Sequence, residues 1–144
     1  MAVLSHVNRR AKRLVQSGLS IDQDLRHLIE VQVSTFNHCT FCADLHRADA
    51  TLMKVTREKM AAIGDYETAG VFSSRERAAL RYVTEITRDH QVSDSAFDAL
   101  RSQFSETEII EITWLQAFTT YLNRMAVPLG IGSDGFCEIV ARKG

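Results

Sequence analysis

One proline and seven glycines in 144 residues are too few turn-formers for an all-β sandwich or barrel with its many short strands. No apolar run approaches the ~18 residues of a membrane span, so no membrane association is expected. A charge excess of one sign is also missing: 17 Lys plus Arg stand against 18 Asp plus Glu, a formal net charge of −1. The chain as a whole therefore offers no field that would draw nucleic acid. Three cysteines are too few, and odd in number, for the disulfide framework of a small secreted protein. The start has no apolar stretch of the secretory kind. It does carry Arg9, Arg10, Lys12 and Arg13 before the first acid, Asp22, a feature shared with organellar transit segments. We read it as an ordinary solvated helix with Val3, Leu4, Val7, Ala11, Leu14 and Val15 on its buried side.

What is present is helical. With 45% hydrophobic and 24% charged residues, the chain reads as a globular, cytoplasmic protein, and its length suits one domain over residues 1–144. Good helix formers recur throughout, so the expected fold is all-α, a single compact domain of about six to seven helices. Gly18 closes the first helix. Ser20-Ile-Asp-Gln23 has the form of a capping box and opens a helix to Phe36, with Leu25, Leu28, Ile29, Val31 and Val33 apolar. After a break at Asn37 and His38, a helix from Cys39 to Met53 shows Phe41, Leu45, Ala48 and Leu52 at helical spacing. A short helix spans Arg57 to Ile63, and 65–72 is a loop. Capping boxes at Ser73/Glu76 and Ser105/Glu108 open two longer helices. The first of these runs to Arg88, with Ala79, Leu80, Val83 and Ile86 inward. The second has Ile109, Ile112, Leu115, Phe118, Leu122 and Met125 inward until Pro128 stops it. Between them a shorter helix, capped by Ser93 or Asp94, ends near Phe104.

The chemistry concentrates at Cys39-x-x-Cys42-x-x-x-His46. At 100° per residue these three side chains share an arc of about 60° on one helix face. An i,i+3 pair also places its Cα atoms about 5 Å apart, close enough for a reversible disulfide. The helix start lowers a thiol pKa, and His46, one turn beyond Cys42, can take the thiol proton. His27 and Glu30, three apart on the preceding helix, can approach the same place as a proton relay. Two other readings stay open on spacing alone. One is zinc, with His38 or His27 as a fourth ligand; the other is two inert buried cysteines beside a core histidine. Attachment of c-type haem is excluded because Ala43, not histidine, follows the second cysteine.

The pattern Ser34-x-x-Asn37-x-Cys39-x-x-Cys42-x-x-x-His46, with Phe41 before the second cysteine and Asp44 after it, resembles the alkylhydroperoxidase AhpD-like branch of the carboxymuconolactone decarboxylase superfamily. The likeness continues at 72–80, at 104–108 and at 123–131, and so spans about Ser20 to Ile131. It implies an AhpD-like all-helical domain in a homo-oligomer, a trimer or hexamer, that reduces small hydroperoxides without a cofactor or bound metal. On this likeness Cys42 attacks the peroxide, Cys39 resolves the sulfenic acid into a disulfide, His46 belongs to the proton relay, and a dithiol protein restores the pair. The lactone decarboxylases of the superfamily generally lack the cysteine pair. A redox-sensing or binding role without turnover is the main alternative. The chain departs from the pattern at His27, where the family usually has glutamate, at Glu30, where a basic residue is common, and at His38, where glycine is common; two consequences stay open, a relay with the jobs of His27 and Glu30 exchanged or a weak peroxidase activity. Cys137 has no partner cysteine nearby and reads as a spare thiol.

Overall fold

The computed structural model describes residues 9–11, 13–15, 18–52 and 57–132, without the side chains of 49, 51 and 52. Among these residues every regular element is helical: α1 (Gln23–Phe36), α2 (Thr40–Leu52), α3 (Arg57–Ala62) continued by a 3₁₀ turn at Ile63–Asp65, α4 (Ser74–Asp89), α5 (Asp94–Arg101) and α6 (Glu106–Ala126). Residues 9–11 and 13–15 are helical as well. No helix among the described residues is long and apolar enough to cross a membrane. Met53, Cys137 and the apolar positions 3, 4 and 7 lie outside the described residues.

Helix α1 is the axis of the fold. Every residue from Leu25 to Ser34 is buried, because α2, α4 and α6 all pack on it. Leu25, Ile29 and Val33 join Ala79, Val83, Leu100, Ile112 and Leu115 in the larger core cluster. Leu28 and Val31 face the other way, against Ile63, Tyr66, Phe72 and Leu80. A helix covered all round has no solvent side, so its polar residues must find partners in the interior. Gln32 does so by donating from Nε2 to Thr84 Oγ1 at 2.9 Å. Arg26, His27, Glu30 and Ser34 are the others, and they lead to the cysteines.

Two capping boxes form as expected, Ser73 with Glu76 and Ser105 with Glu108, and Ser93 caps α5. The box expected at Ser20 does not. Asp22 is the N-cap of α1, accepting from Leu25 N at 2.8 Å, since its carboxylate stands two residues nearer the helix and does the same work. Ser20 is used elsewhere: its backbone N and Oγ donate to Glu111 Oε2 at 2.8 and 2.7 Å, tying the chain to α6. Helix α5 stops at Arg101, short of the expected Phe104, whose ring is buried under the Arg75 guanidinium.

Helix α6 also departs from the apolar pattern. Met125 is 43% exposed, and Phe118 and Leu122 are half-buried rather than inward. The buried row instead runs Ile112, Leu115, Gln116, Thr119, Asn123, Ala126. In its second half, α6 faces polar groups, Thr87 of α4 at Gln116 and Ser34 of α1 at Asn123, so small and polar residues fill the contact. The displaced aromatics Trp114, Phe118 and Tyr121 stack on one another, with ring centroids 5.2 and 6.1 Å apart. Leu14, expected inward on the first helix, is exposed, whereas Val15 packs against the core.

Candidate active site

The turn between α1 and α2 is built so that one helix ends where the next begins. His38 adopts a left-handed backbone, φ 56°; its N–H donates to Thr35 O at 3.1 Å and that of Cys39 to Ser34 O at 3.0 Å. These two bonds close α1 on a left-handed residue. Cys39 then caps α2, its carbonyl accepting from Ala43 N at 2.9 Å and its Sγ from Cys42 N at 3.3 Å. Helix α2 therefore starts at Thr40, one residue later than the spacing suggests, because Cys39 still belongs to the close of α1. Cys39 and Cys42 are joined in a disulfide with Cα atoms 5.2 Å apart. In the structure each sulfur is bonded to the other, so neither is a free thiolate in this oxidised state. The pair is 2% and 6% exposed, packed with Ala126 and Phe41.

The left-handed position is one that suits glycine, since an L side chain at φ > 0 costs about 1–2 kcal/mol. The extra freedom of glycine in the unfolded chain returns about 0.5–1 kcal/mol of that. Replacing His38→Gly is therefore expected to raise stability by up to about 1 kcal/mol, read as a higher denaturation midpoint. The His38 side chain is exposed. The rate of disulfide formation in this variant is expected to equal that of the parent; a slower rate would give the imidazole a chemical role.

A polar clamp holds the turn from α6. Asn123 Nδ2 donates to Ser34 Oγ at 3.1 Å, and Asn37 Nδ2 donates to Asn123 Oδ1 at 3.0 Å and to Thr120 Oγ1 at 3.1 Å. Ser34 and Asn123 are fully buried. The Ser34-x-x-Asn37 half of the motif thus holds the cysteine turn against α6 through Asn123, a role no helical period could show. Asn123→Ala would leave the buried Ser34 hydroxyl without its donor and take one of two acceptors from the Asn37 amide, which keeps Thr120 Oγ1, at an expected cost of about 1–2 kcal/mol. Urea titration of the variant checks this; a loss below about 0.5 kcal/mol would remove the clamp from the account.

The charged cluster lies on α1 and α2. Glu30 Oε2 is 3.4 Å from His27 Nδ1, 3.4 Å from His46 Nδ1 and 3.9 Å from Arg26 Nε. Burial alone would raise the Glu30 pKa, but hydrogen bonding to the two histidines and the charges of His46 and Arg26 overcome it and hold it at about 2. Glu30 is thus an ionised carboxylate inside the protein. With Nδ1 of His46 turned to that carboxylate, Nε2 is the nitrogen left to exchange a proton. Arg26, which the sequence reading passed over, is buried among these groups. The signal for it was its place one residue before His27 on a helix with no solvent side.

A sequence model of the carboxymuconolactone decarboxylase family matches residues 2–85. The uncharacterized protein YdfG of Bacillus subtilis is 27% identical over 113 residues, 77% of each chain. The uncharacterized protein YnjA of Escherichia coli is 23% identical over 124 residues, 85% of this chain and 68% of that one. Among solved structures, ATU0492 of Agrobacterium tumefaciens, a protein of unknown function with a suggested role as the antioxidant defence protein AhpD, superposes with a TM-score of 0.86 at 26% identity, covering 92% of each chain. The debrominase Bmp8 superposes with a TM-score of 0.81 at 24% identity, covering 88% of this chain and 68% of that one, a likeness of fold alone.

Proposed function

The chain belongs to the carboxymuconolactone decarboxylase family, and on that footing we propose that it is a thiol-dependent peroxidase of the AhpD kind. The observation that carries the reading is the bonded Cys39–Cys42 pair at the start of a helix whose next turn bears a carboxylate-backed histidine. In the reduced protein the Cys42 thiol passes its proton to His46. The thiolate attacks the terminal oxygen of a hydroperoxide and the O–O bond breaks. The alkoxide leaves as alcohol with the proton from His46, and Cys42 becomes a sulfenic acid. Cys39 then attacks that sulfur; the S–S bond forms, the S–O bond breaks, and hydroxide leaves as water with the Cys39 proton. One hydroperoxide and two thiols thus yield one alcohol, one water and one disulfide. A dithiol protein returns two electrons and two protons.

Glu30 supports this cycle by stabilising the imidazolium that His46 becomes between the two proton transfers. His27 joins as a donor to Glu30. The carboxylate usual at position 27 has moved one helical turn to position 30, where the family usually has a base, so the pair keeps its chemistry with the order reversed. The same reading places the protein in the cytoplasm as a trimer or hexamer. The aromatic stack of α6 and Ile110, 69% exposed, supply apolar surface for such an assembly.

The burial of both sulfurs favours one second reading, a sensor oxidised by small peroxides but closed to a protein reductant. Supplying the reduced protein with an organic hydroperoxide and a dithiol protein such as a thioredoxin separates the two. Repeated peroxide consumption is expected. Stoichiometric consumption followed by a stable Cys39–Cys42 disulfide would replace the peroxidase with the sensor.

A further inference from the structure

We propose that Arg26 is a positioning residue for this reaction: it fixes the proton of His27 on Nδ1, so that His27 donates to Glu30 and leaves His46 as the group that exchanges protons. The inference rests on the reading of Glu30 as the carboxylate behind His46. Arg26 is itself buried and uses each arm of its guanidinium differently. Nη1 donates to Val15 O at 2.7 Å, Nη2 lies 2.9 Å from His27 Nε2, and Nε lies 3.9 Å from Glu30 Oε2.

The contact at 2.9 Å has only one reading. A guanidinium carries five N–H groups and no lone pair, and it stays protonated. Nη2 must therefore donate, and His27 Nε2 must accept. An imidazole that accepts at Nε2 carries its single proton on Nδ1, the nitrogen 3.4 Å from Glu30 Oε2. The alternative tautomer would set N–H against N–H at Arg26 and a lone pair against the carboxylate at Glu30, unfavourable at both ends. A doubly protonated ring would put two cations in contact. His27 Nδ1 and Arg26 Nε are buried nitrogens without a partner at full hydrogen-bond geometry, and Glu30 Oε2 lies within 3.9 Å of both. The charged and titratable groups facing that carboxylate are Arg26 and His27 from α1 and His46 from α2. With the first a permanent cation and the second committed at both nitrogens, the proton traffic of the site falls to His46. The bond to Val15 O holds the guanidinium in this pose from the N-terminal segment.

The tautomer can be read directly from ¹⁵N shifts of the histidine rings in the intact protein at pH 7, alongside steady-state peroxide reduction. In the parent protein His27 is expected to show a protonated Nδ1 and an unprotonated Nε2. Arg26→Met removes the donor, so the Nε2–H form is expected to appear, with kcat falling about tenfold, the effect of one charge-assisted hydrogen bond, and KM unchanged. Arg26→Lys restores a donor and is expected to return the Nδ1–H form and most of kcat. A parent His27 protonated at Nε2 would overturn the proposal, and that spectrum decides it alone if the methionine variant does not fold. So would an Arg26→Met protein that keeps the Nδ1–H form. A parent with the Nδ1–H form but no peroxide turnover overturns the peroxidase reading and leaves the tautomer assignment standing.

Discussion

Replacing Cys42→Ser is expected to abolish peroxide turnover, a loss on the order of 10³-fold or more, because the attacking thiolate one turn from His46 is gone. Cys39→Ser is expected to behave differently. Cys42 can still attack, so one equivalent of peroxide is consumed, but no thiol captures the sulfenic acid and excess peroxide drives it to sulfinic acid. Mass spectrometry distinguishes the two, with no added oxygen on Cys39 in the first variant and one or two oxygens on Cys42 in the second. The asymmetry follows from the turn. Cys39 caps α2 with its Sγ held toward Cys42 N and is the more buried of the two, whereas Cys42 stands one turn from His46. If Cys39→Ser were dead in the first turnover and Cys42→Ser took up oxygen, the two roles would be exchanged.

Much of this was legible in the sequence because the relevant signals are local. The i,i+3 cysteines, the two true capping boxes and the long apolar rows need only helical geometry, and the disulfide spacing of about 5 Å follows from it. The failures share a different cause. His38 ends α1 in a left-handed turn that glycine usually marks, so the residue type hid the turn. The buried row of α6 shifts onto Gln116, Thr119 and Asn123 because polar partners on other helices face it, Thr87 of α4 at Gln116 and Ser34 of α1 at Asn123, a fact of tertiary packing that no single-helix period contains. Arg26 is of the same kind: a charged residue on a helix reads as solvated until the helix proves to be covered on all sides.

Glu30→Gln is expected to cost activity and stability together, with an acid dependence of stability in the parent that the variant lacks. An amide cannot stabilise the His46 imidazolium, so peroxide reduction should fall by about 10²-fold, the lower range for loss of a proton-transfer partner. The stability effect carries a definite sign. Glu30 titrates at about 2 in the folded protein against an ordinary 4.5, so the unfolded chain takes up the proton first as the pH falls. Its contribution is fully present above about pH 4.5 and is lost as the pH drops from there toward 2; the shift corresponds to about 3 kcal/mol as an order of magnitude. In the variant, Arg26 is a buried cation without its carboxylate at every pH, so the deficit is already there at pH 7. Urea midpoints of parent and Glu30→Gln should therefore lie far apart at neutral pH and converge as the pH falls from 4.5 toward 2. Parallel acid profiles would mean that folding does not lower the Glu30 pKa, and with that would go the close ionic contact between the carboxylate and its neighbours Arg26, His27 and His46.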